Sequence, residues 1–252
     1  QDGIRDSVAS RGLGDVYKRQ GTVDIYVDGV SKVSSSWTFD MTQNLTHIGQ
    51  KQPNWHYAGT TLDPLNGYLD EVRLSTSARY TSTFTPHTAS HTKDMATKLL
   101  LQGGMDSSDL LLPTFNGNTK ILSSGYRLYD EDWISTPSSS DFAFGTGDFT
   151  VEFWAYNEDV SNSTQKGLIQ ISDNAGGIKT SYDTGFVLNL GGGIGDGVLR
   201  LHDGTQTVAT GTGIIKTYEW QHIAITREGN TAKIYICLLY TSPSPRDATL
   251  SR

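Results

Sequence analysis

The sequence has little of three features that often set a protein's class. It contains one cysteine, Cys237, so no disulfide can form within the chain. No run approaches the roughly eighteen apolar residues that a membrane-spanning helix needs. Its 20 basic and 27 acidic residues give a net charge of −7, which offers no basic excess to a phosphate backbone. A disulfide framework, insertion into a membrane and a nucleic-acid partner are therefore not expected.

The two ends of the chain share an unusual relationship. Residues 5–20 (RDSVASRGLGDVYKRQ) can be back-translated so that the reverse complement, in another frame, encodes residues 237–252 (CLLYTSPSPRDATLSR). This relationship resembles a DNA sequencing adapter translated in both orientations. We therefore expect 1–20 and 237–252 to be adapter-derived and exclude them from the fold. The remaining segment, 21–236, has 14 basic and 23 acidic residues.

The clearest predicted strand is FTVEFWAY at residues 149–156. Phe149, Val151 and Phe153 alternate with polar or larger residues, so they share one face of a pleated strand. β-branched and aromatic residues fill the run, and a glycine-containing turn precedes it. This segment is therefore expected to be an inner strand of a β-layer.

Other short runs have the same character. Strands are predicted at 22–28, 30–33, 45–49, 67–75, 97–101, 167–171, 185–190, 198–202, 220–227 and 231–235. The Asp28-Gly29 pair indicates a tight hairpin after the first of them. Many short strands with closely spaced turns predict an all-β, two-layer antiparallel sandwich.

Four segments together resemble laminin G-like domains of the concanavalin A-like lectin/glucanase superfamily. They are DFTVEFWAY at 148–156, WQHIAITR at 220–227, IYVDG at 25–29 and GYLDEVRLS at 67–75. The resemblance covers essentially all of residues 21–236 and implies a jelly-roll sandwich. In that family the first two segments precede the other two, whereas here they follow them.

The reversed order predicts two partial repeats. Residues 21–90 would be the C-terminal part of one repeat, 91–96 a linker, and 97–236 the N-terminal part of the next. Each part alone would leave an apolar face and strand edges uncovered, so we expect them to complement each other as a circularly permuted sandwich. Strand 22–28 would then lie beside 220–227, or compete with 231–235 for that place.

Asp70 and Glu71 are the nearest approach to a glycosidase centre. The superfamily's glucanases carry acids at alternate positions of a strand, whereas neighbouring residues point to opposite faces. We expect one of these acids to be buried against backbone amides or Arg73, and the other to be exposed. No catalytic residue is therefore assigned, and the protein is expected not to be an enzyme.

Other motifs indicate no cofactor. The glycine-rich run 191–197 lacks the spacing of a dinucleotide loop and predicts a mobile hairpin loop. His87 and His91 fall in a linker-like stretch, 87–93, and His222 falls in a strand. They show no metal-ligand pattern, so exposed or hydrogen-bonded roles are expected.

Calcium is the one cofactor that the resemblance suggests. Laminin G-like domains often hold this ion at a sandwich rim through Asp side chains and carbonyl groups. Possible ligands in or near loops are Asp173, Asn174, Asp183, Asp196 and Asp203. The alternative is that these residues only form turns.

Aromatic residues indicate where a ligand could bind. Trp55, His56 and Tyr57 lie in a long polar loop, where a sugar ring could stack on an exposed aromatic face. The alternative is that Trp55 anchors the loop on the sandwich. Trp133, Trp154 and Trp220 are expected to pack in the core or on a sheet face.

The resemblance implies a non-catalytic, extracellular recognition or adhesion module, located on a cell or virion surface. Its partners would be a glycan or a surface protein, with neighbouring repeats of the same chain. Two alternatives remain: a structural spacer of a tail-fibre-like or cell-surface protein, and an accessory domain of a carbohydrate-active enzyme.

Overall fold

The computed structural model describes the following residues: 21–37, 45–51, 63–103, 113–122, 125–129, 132–161, 165–172, 186–191, 195–202 and 207–228. The two adapter-like ends and the predicted strand at 231–235 lie outside these ranges.

The described residues form seventeen strands and one 3₁₀ turn, Ser140–Phe142. In chain order the strands are Gly21–Val27 (β1), Val30–Trp37 (β2), Leu45–Ile48 (β3), Gln50–Lys51 (β4), Asp63–Pro64 (β5), Gly67–Ser75 (β6), Thr97–Leu101 (β7), Thr114–Asn116 (β8), Lys120–Leu122 (β9), Gly125–Leu128 (β10), Trp133–Ser135 (β11), Phe149–Asn157 (β12), Gln165–Ser172 (β13), Phe186–Gly191 (β14), Leu199–His202 (β15), Thr207–Ala209 (β16) and Trp220–Arg227 (β17).

The strands build two antiparallel sheets. The first sheet runs β2-β1-β17-β12-β6-β10-β9, with β7 also paired to β6, and the second runs β16-β15-β14-β13-β3-β11-β8. A separate two-stranded pair joins β4 and β5. The predicted all-β, two-layer antiparallel sandwich is confirmed.

Strands from before and after the expected linker pair directly. β1 lies beside β17 with Ile25 opposite Ile225, and β6 lies beside β12 with Leu74 opposite Val151. In the second sheet β3 pairs with both β13 and β11. The predicted position of strand 22–28 beside 220–227 is therefore confirmed. The derivation of the two parts from successive repeats stays a prediction, as do the domain boundaries.

One apolar core joins the two sheets. Phe149, Val151, Phe153 and Ala155 of β12 are buried in it, as their alternation predicts. Both parts of the chain contribute, with Ile25 from β1 among the core residues. Because burying such side chains is the main force that stabilises a sandwich, both parts of the chain contribute to the stability of this one core.

The outer face of the first sheet is partly covered by residues 76–96, which we call the strap. Tyr80 and Phe84 of the strap pack with Tyr26 and Ala224 into a second, smaller apolar cluster. The Tyr80 carbonyl accepts hydrogen bonds from the Tyr26 hydroxyl at 3.0 Å and the Thr226 hydroxyl at 2.9 Å. At the end of the strap, where a linker was expected, His91 is buried and the Ala96 carbonyl accepts from the Thr76 amide at 2.9 Å.

The hairpin between β1 and β2 contacts the strap. Asp28 and Gly29 both have positive φ, 53° and 79°, as the predicted tight hairpin turn requires. The Phe84 amide donates to the Gly29 carbonyl at 2.9 Å. A Cβ atom at Gly29 would lie 1.9 Å from the Phe84 carbonyl oxygen, so only glycine fits this close approach.

Candidate functional site

The open part of the first sheet's outer face carries a row of aromatic side chains. Tyr156 of β12 lies directly opposite Trp220 of β17 on one side and Tyr68 of β6 on the other. Arg127 of β10 lies opposite Tyr68 and continues the row. At about 4.8 Å between neighbouring strands, a row across these four strands spans about 14 Å.

Two more tyrosines extend this set, which we call the aromatic row: Tyr68, Tyr129, Tyr156, Tyr218 and Trp220. The ring centroids of Tyr156 lie 5.6 Å from Tyr68, 5.7 Å from Trp220 and 6.4 Å from Tyr218. Tyr129 lies 6.4 Å from Tyr68 in an edge-on arrangement. These separations are typical of stabilising aromatic pairs, so the rings hold one another in place.

Tyr218 is the most exposed member of the row, with 66% of its surface accessible. Its φ of 61° is in the left-handed region, which costs a residue with a Cβ free energy. The Tyr218 amide donates to the Asn157 carbonyl at 2.8 Å, which holds this backbone beside the end of β12. A strained, exposed aromatic residue is the kind of feature that concentrates at binding sites.

Charged groups flank the row. The guanidinium carbon of Arg127 lies 4.1 Å above the ring of Tyr129, a cation–π contact. Burial, followed by a hydrogen bond to Glu158, raises the pKa of Tyr129 to about 12, so its hydroxyl stays protonated. Glu219 is exposed between Tyr218 and Trp220. The row therefore combines flat apolar surface with donors and acceptors at its rim.

A buried polar cluster lies on the same sheet face, where the strap covers it. The Glu152 carboxylate accepts from Arg73 Nε at 2.7 Å on Oε1 and from the Tyr80 hydroxyl at 2.6 Å on Oε2. The Nε2 atoms of His222 and His91 lie 3.4 Å and 3.6 Å from Oε2. The cluster thus joins the strap, through Tyr80 and His91, to three neighbouring strands.

Ionisation in this cluster follows from its surroundings. Burial alone would raise the pKa of Glu152, but its contacts with His222, Arg73 and His91 outweigh burial and lower the pKa to about 2. Burial lowers the pKa of His91 to about 4. At neutral pH the carboxylate is therefore ionised and the His91 imidazole is neutral.

Asp70 and Glu71 are both fully buried, so the expectation that one of them is exposed was wrong. Asp70 does bind backbone amides as expected: its Oδ1 accepts from Glu71 and Gly103 at 2.9 Å and 2.8 Å. Glu71 Oε2 accepts from the His91 amide at 2.8 Å. The cause is a β-bulge: Glu71 has φ of 53° and β6 has an extra residue opposite β12, which breaks the alternation of faces.

Most of the ligand residues predicted from the sequence are not among the residues that the structure describes. Trp55, His56 and Tyr57 are not among the described residues, and neither are Asp173, Asn174, Asp183 and Asp203. Asp196 is exposed, and its carbonyl accepts from the Gly213 amide at 2.8 Å. The aromatic-loop and calcium hypotheses therefore stay predictions.

Three tryptophans were expected to pack in the core or on a sheet face. Trp154 is buried on the outer face, and its ring lies 5.3 Å from that of His222. Trp133 is half-buried in β11. Trp220 lies on a sheet face as expected, but as part of the aromatic row, which the sequence analysis did not identify.

The fold defines the class as a two-sheet antiparallel β-sandwich. Residues 129–236 match a laminin G family model described as the concanavalin A-like lectin/glucanases superfamily. This match confirms the laminin G-like resemblance for that segment and supports a carbohydrate- or protein-binding module in general. Neither a curated protein nor a solved structure matches the chain.

None of the helical segments among the described residues has the length and apolar character needed to cross a bilayer.

Proposed function

We propose that the chain is a non-catalytic carbohydrate-recognition module that binds a glycan along the aromatic row. The observation that carries this proposal is the in-register line of half-exposed rings across β17, β12 and β6, ending at Arg127. The apolar faces of sugar rings stack on aromatic rings, and a span of about 14 Å accommodates a short oligosaccharide.

The rim supplies the polar part of such recognition. Sugar hydroxyls would pair with the Arg127 guanidinium, which lies over the Tyr129 ring, and with the Glu158 carboxylate, which hydrogen-bonds to the Tyr129 hydroxyl. Binding sites for small ligands typically combine apolar surface with a few placed polar groups of this kind. The proposed ligand is therefore a neutral or weakly charged glycan and not a polyanion, since Arg127 is the one basic group that we assign to the site.

The absence of catalysis is part of the proposal. Asp70 and Glu71 are fully buried under the strap side of the sheet, and their oxygens accept hydrogen bonds from backbone amides. Such a pair cannot reach a glycosidic bond as acid and nucleophile. We further propose an extracellular or virion-surface location, where tandem copies would raise avidity through several weak sites.

The test is glycan-array screening followed by titration of the best oligosaccharide, with and without calcium. We expect Trp220→Ala and Tyr218→Ala to weaken binding about tenfold or more, because each removes a stacking surface. Phe115→Ala is the matched control, since Phe115 is 36% exposed on β8 of the other sheet. Equal loss in all three variants, or none in the row variants, would contradict the assignment of this face.

The same experiment separates the remaining hypotheses. Calcium-dependent binding that survives the row substitutions would favour the rim aspartates or the loop containing Trp55. Binding to no glycan at all would favour the structural spacer. An accessory role beside a catalytic domain would be tested by polysaccharide hydrolysis in the longer protein.

A further inference from the structure

The buried cluster beneath the strap brings three possible metal ligands together. One donor atom from each of His91, Glu152 and His222 lies within 4.8 Å of the others. The Glu152–His222 and Glu152–His91 contacts are 3.4 Å and 3.6 Å. Zinc bonds of 2.0–2.1 Å in a tetrahedral site place neighbouring donors about 3.3 Å apart. These two separations are therefore close to those around a tetrahedral ion, and the third, between the two histidines, is at most 4.8 Å.

The histidine nitrogens facing the carboxylate are poorly satisfied. Among the described residues, the Nε2 atoms of His91 and His222 make no hydrogen bond that has both a short distance and a favourable angle. Their contacts with Glu152 Oε2 are at or beyond the outer limit of hydrogen bonding. Both side chains are at least 98% buried. Polar groups buried this deeply nearly always have a partner, and an ion would satisfy both nitrogens at once.

The local charge also favours a cation. Three fully buried carboxylates, Asp70, Glu71 and Glu152, lie in this part of the molecule. Arg73, which pairs with Glu152, is the basic residue buried among them. Arg79 also interacts with Glu152, but its guanidinium is paired with Asp94, so carboxylates outnumber the remaining basic groups here, which favours a cation.

We propose that His91, Glu152 and His222 bind a zinc ion that ties the strap to the first sheet. Two imidazoles and a carboxylate form a ligand set that zinc accepts, whereas calcium prefers oxygen ligands alone. The ion would join residues of the strap, β12 and β17 at one point. No segment other than the strap would then have to move to release it.

The surrounding contacts already orient the ligands. Arg73 holds Oε1 of Glu152, which directs Oε2 towards the two histidines. The Glu71 carboxylate binds the backbone amide of His91 and positions this part of the strap. Hydrogen-bonded partners of this kind fix ligand geometry in metal sites.

The experiment uses the full chain carrying Cys237→Ser, so that no thiol competes for metal. After treatment with a chelator, zinc is titrated by calorimetry, and imidazole nitrogen signals are followed by NMR. We expect one zinc ion per chain, and shifts of the Nε2 signals of His91 and His222 together. Calcium is the negative control and should shift neither signal.

Variants provide an independent readout. His91→Gln should weaken zinc binding at least about 100-fold. His87→Gln changes an exposed ring that touches the His91 ring, with 5.5 Å between centroids, but is not a proposed ligand, so it should weaken binding far less. Zinc should also raise the melting temperature of the parent and the His87 variant only. The proposal fails if zinc does not bind, if the two Nε2 signals do not move, or if both variants bind equally well. The NMR result decides the matter even if His91→Gln does not fold.

Discussion

Tyr80→Phe should show how much the buried cluster contributes to stability. The substitution removes only the hydroxyl that donates to Glu152 Oε2 at 2.6 Å. The ring remains, stacked against Phe84, and the Tyr80 carbonyl still accepts from Tyr26 and Thr226. The result therefore reports one hydrogen bond to a buried carboxylate.

A hydrogen bond to a charged group contributes about 1.5–3 kcal/mol. Tyr80→Phe should thus lower the free energy of unfolding by about 2 kcal/mol, or the melting temperature by about 4–8 °C for a domain of this size. Urea denaturation in a chelating buffer measures the change without metal. Tyr218→Phe is the matched control, because its hydroxyl belongs to a largely exposed side chain and should change stability by less than about 0.5 kcal/mol.

A double-mutant cycle tests whether the Tyr80 hydroxyl stabilises the protein through Glu152. Glu152→Gln alone should cost about 3–5 kcal/mol, since it leaves the Arg73 guanidinium without its buried partner. If Tyr80 acts through Glu152, the two changes together should cost at least about 1 kcal/mol less than their sum. Strict additivity, or a Tyr80→Phe cost equal to that of Tyr218→Phe, would refute the account of the cluster.

Three further predictions concern stability. Gly29→Ala should cost at least about 2 kcal/mol through positive φ and the clash with the Phe84 carbonyl, whereas Gly211→Ala, whose Cβ would meet nothing within 4 Å, should be nearly neutral in urea denaturation. Phe153→Ala should cost about 3–5 kcal/mol in calorimetric melting, because it empties a fully buried core position. Met95→Ala, at a side chain that is 98% exposed, should cost less than about 0.5 kcal/mol. Burial lowers the pKa of His47 to about 4, so below pH about 6.5 the unfolded chain binds more protons than the folded one. About 2–3 kcal/mol of stability should therefore be lost as the pH falls towards 4. His47→Gln should remove that part of the pH dependence, and identical pH profiles of stability for the two proteins would contradict this prediction.

Local patterns identified the strands that carry most of the core. Residues 67–75, 97–101 and 220–227 were predicted with the bounds that the structure has. Their alternation or continuous apolar runs depend on residues close in sequence. The shorter strands β8, β9 and β16 were missed, because three residues provide too little periodicity to distinguish a strand from a loop.

The bulge in β6 explains why the faces predicted for two residues from strand alternation were wrong. Asp70 and Glu71 were expected on opposite faces, yet both are buried, because one extra residue in β6 changes the side to which the following residues point. The hydrogen bonds that occupy Glu71 come from His91 and Gln102, which lie 20 and 31 residues away in sequence. Nothing in residues 67–75 alone indicates those partners.

The aromatic row was missed for a related reason. Tyr68, Tyr156 and Trp220 belong to three strands that are far apart in sequence, and only their pairing registers place them opposite one another. The position of Trp220 on a sheet face could be predicted, but its neighbours could not.

The central claim is that two parts of the chain, each incomplete, close into one sandwich and thereby assemble the aromatic row. NMR measurement of nuclear Overhauser contacts tests this most directly, because Tyr68 belongs to the first part and Tyr156 to the second. The account predicts ring-to-ring contacts between Tyr68 and Tyr156, together with backbone contacts between Ile25 and Ile225. Folded signals from Tyr156 and Trp220 without any contact to Tyr68 or Ile25 would contradict it.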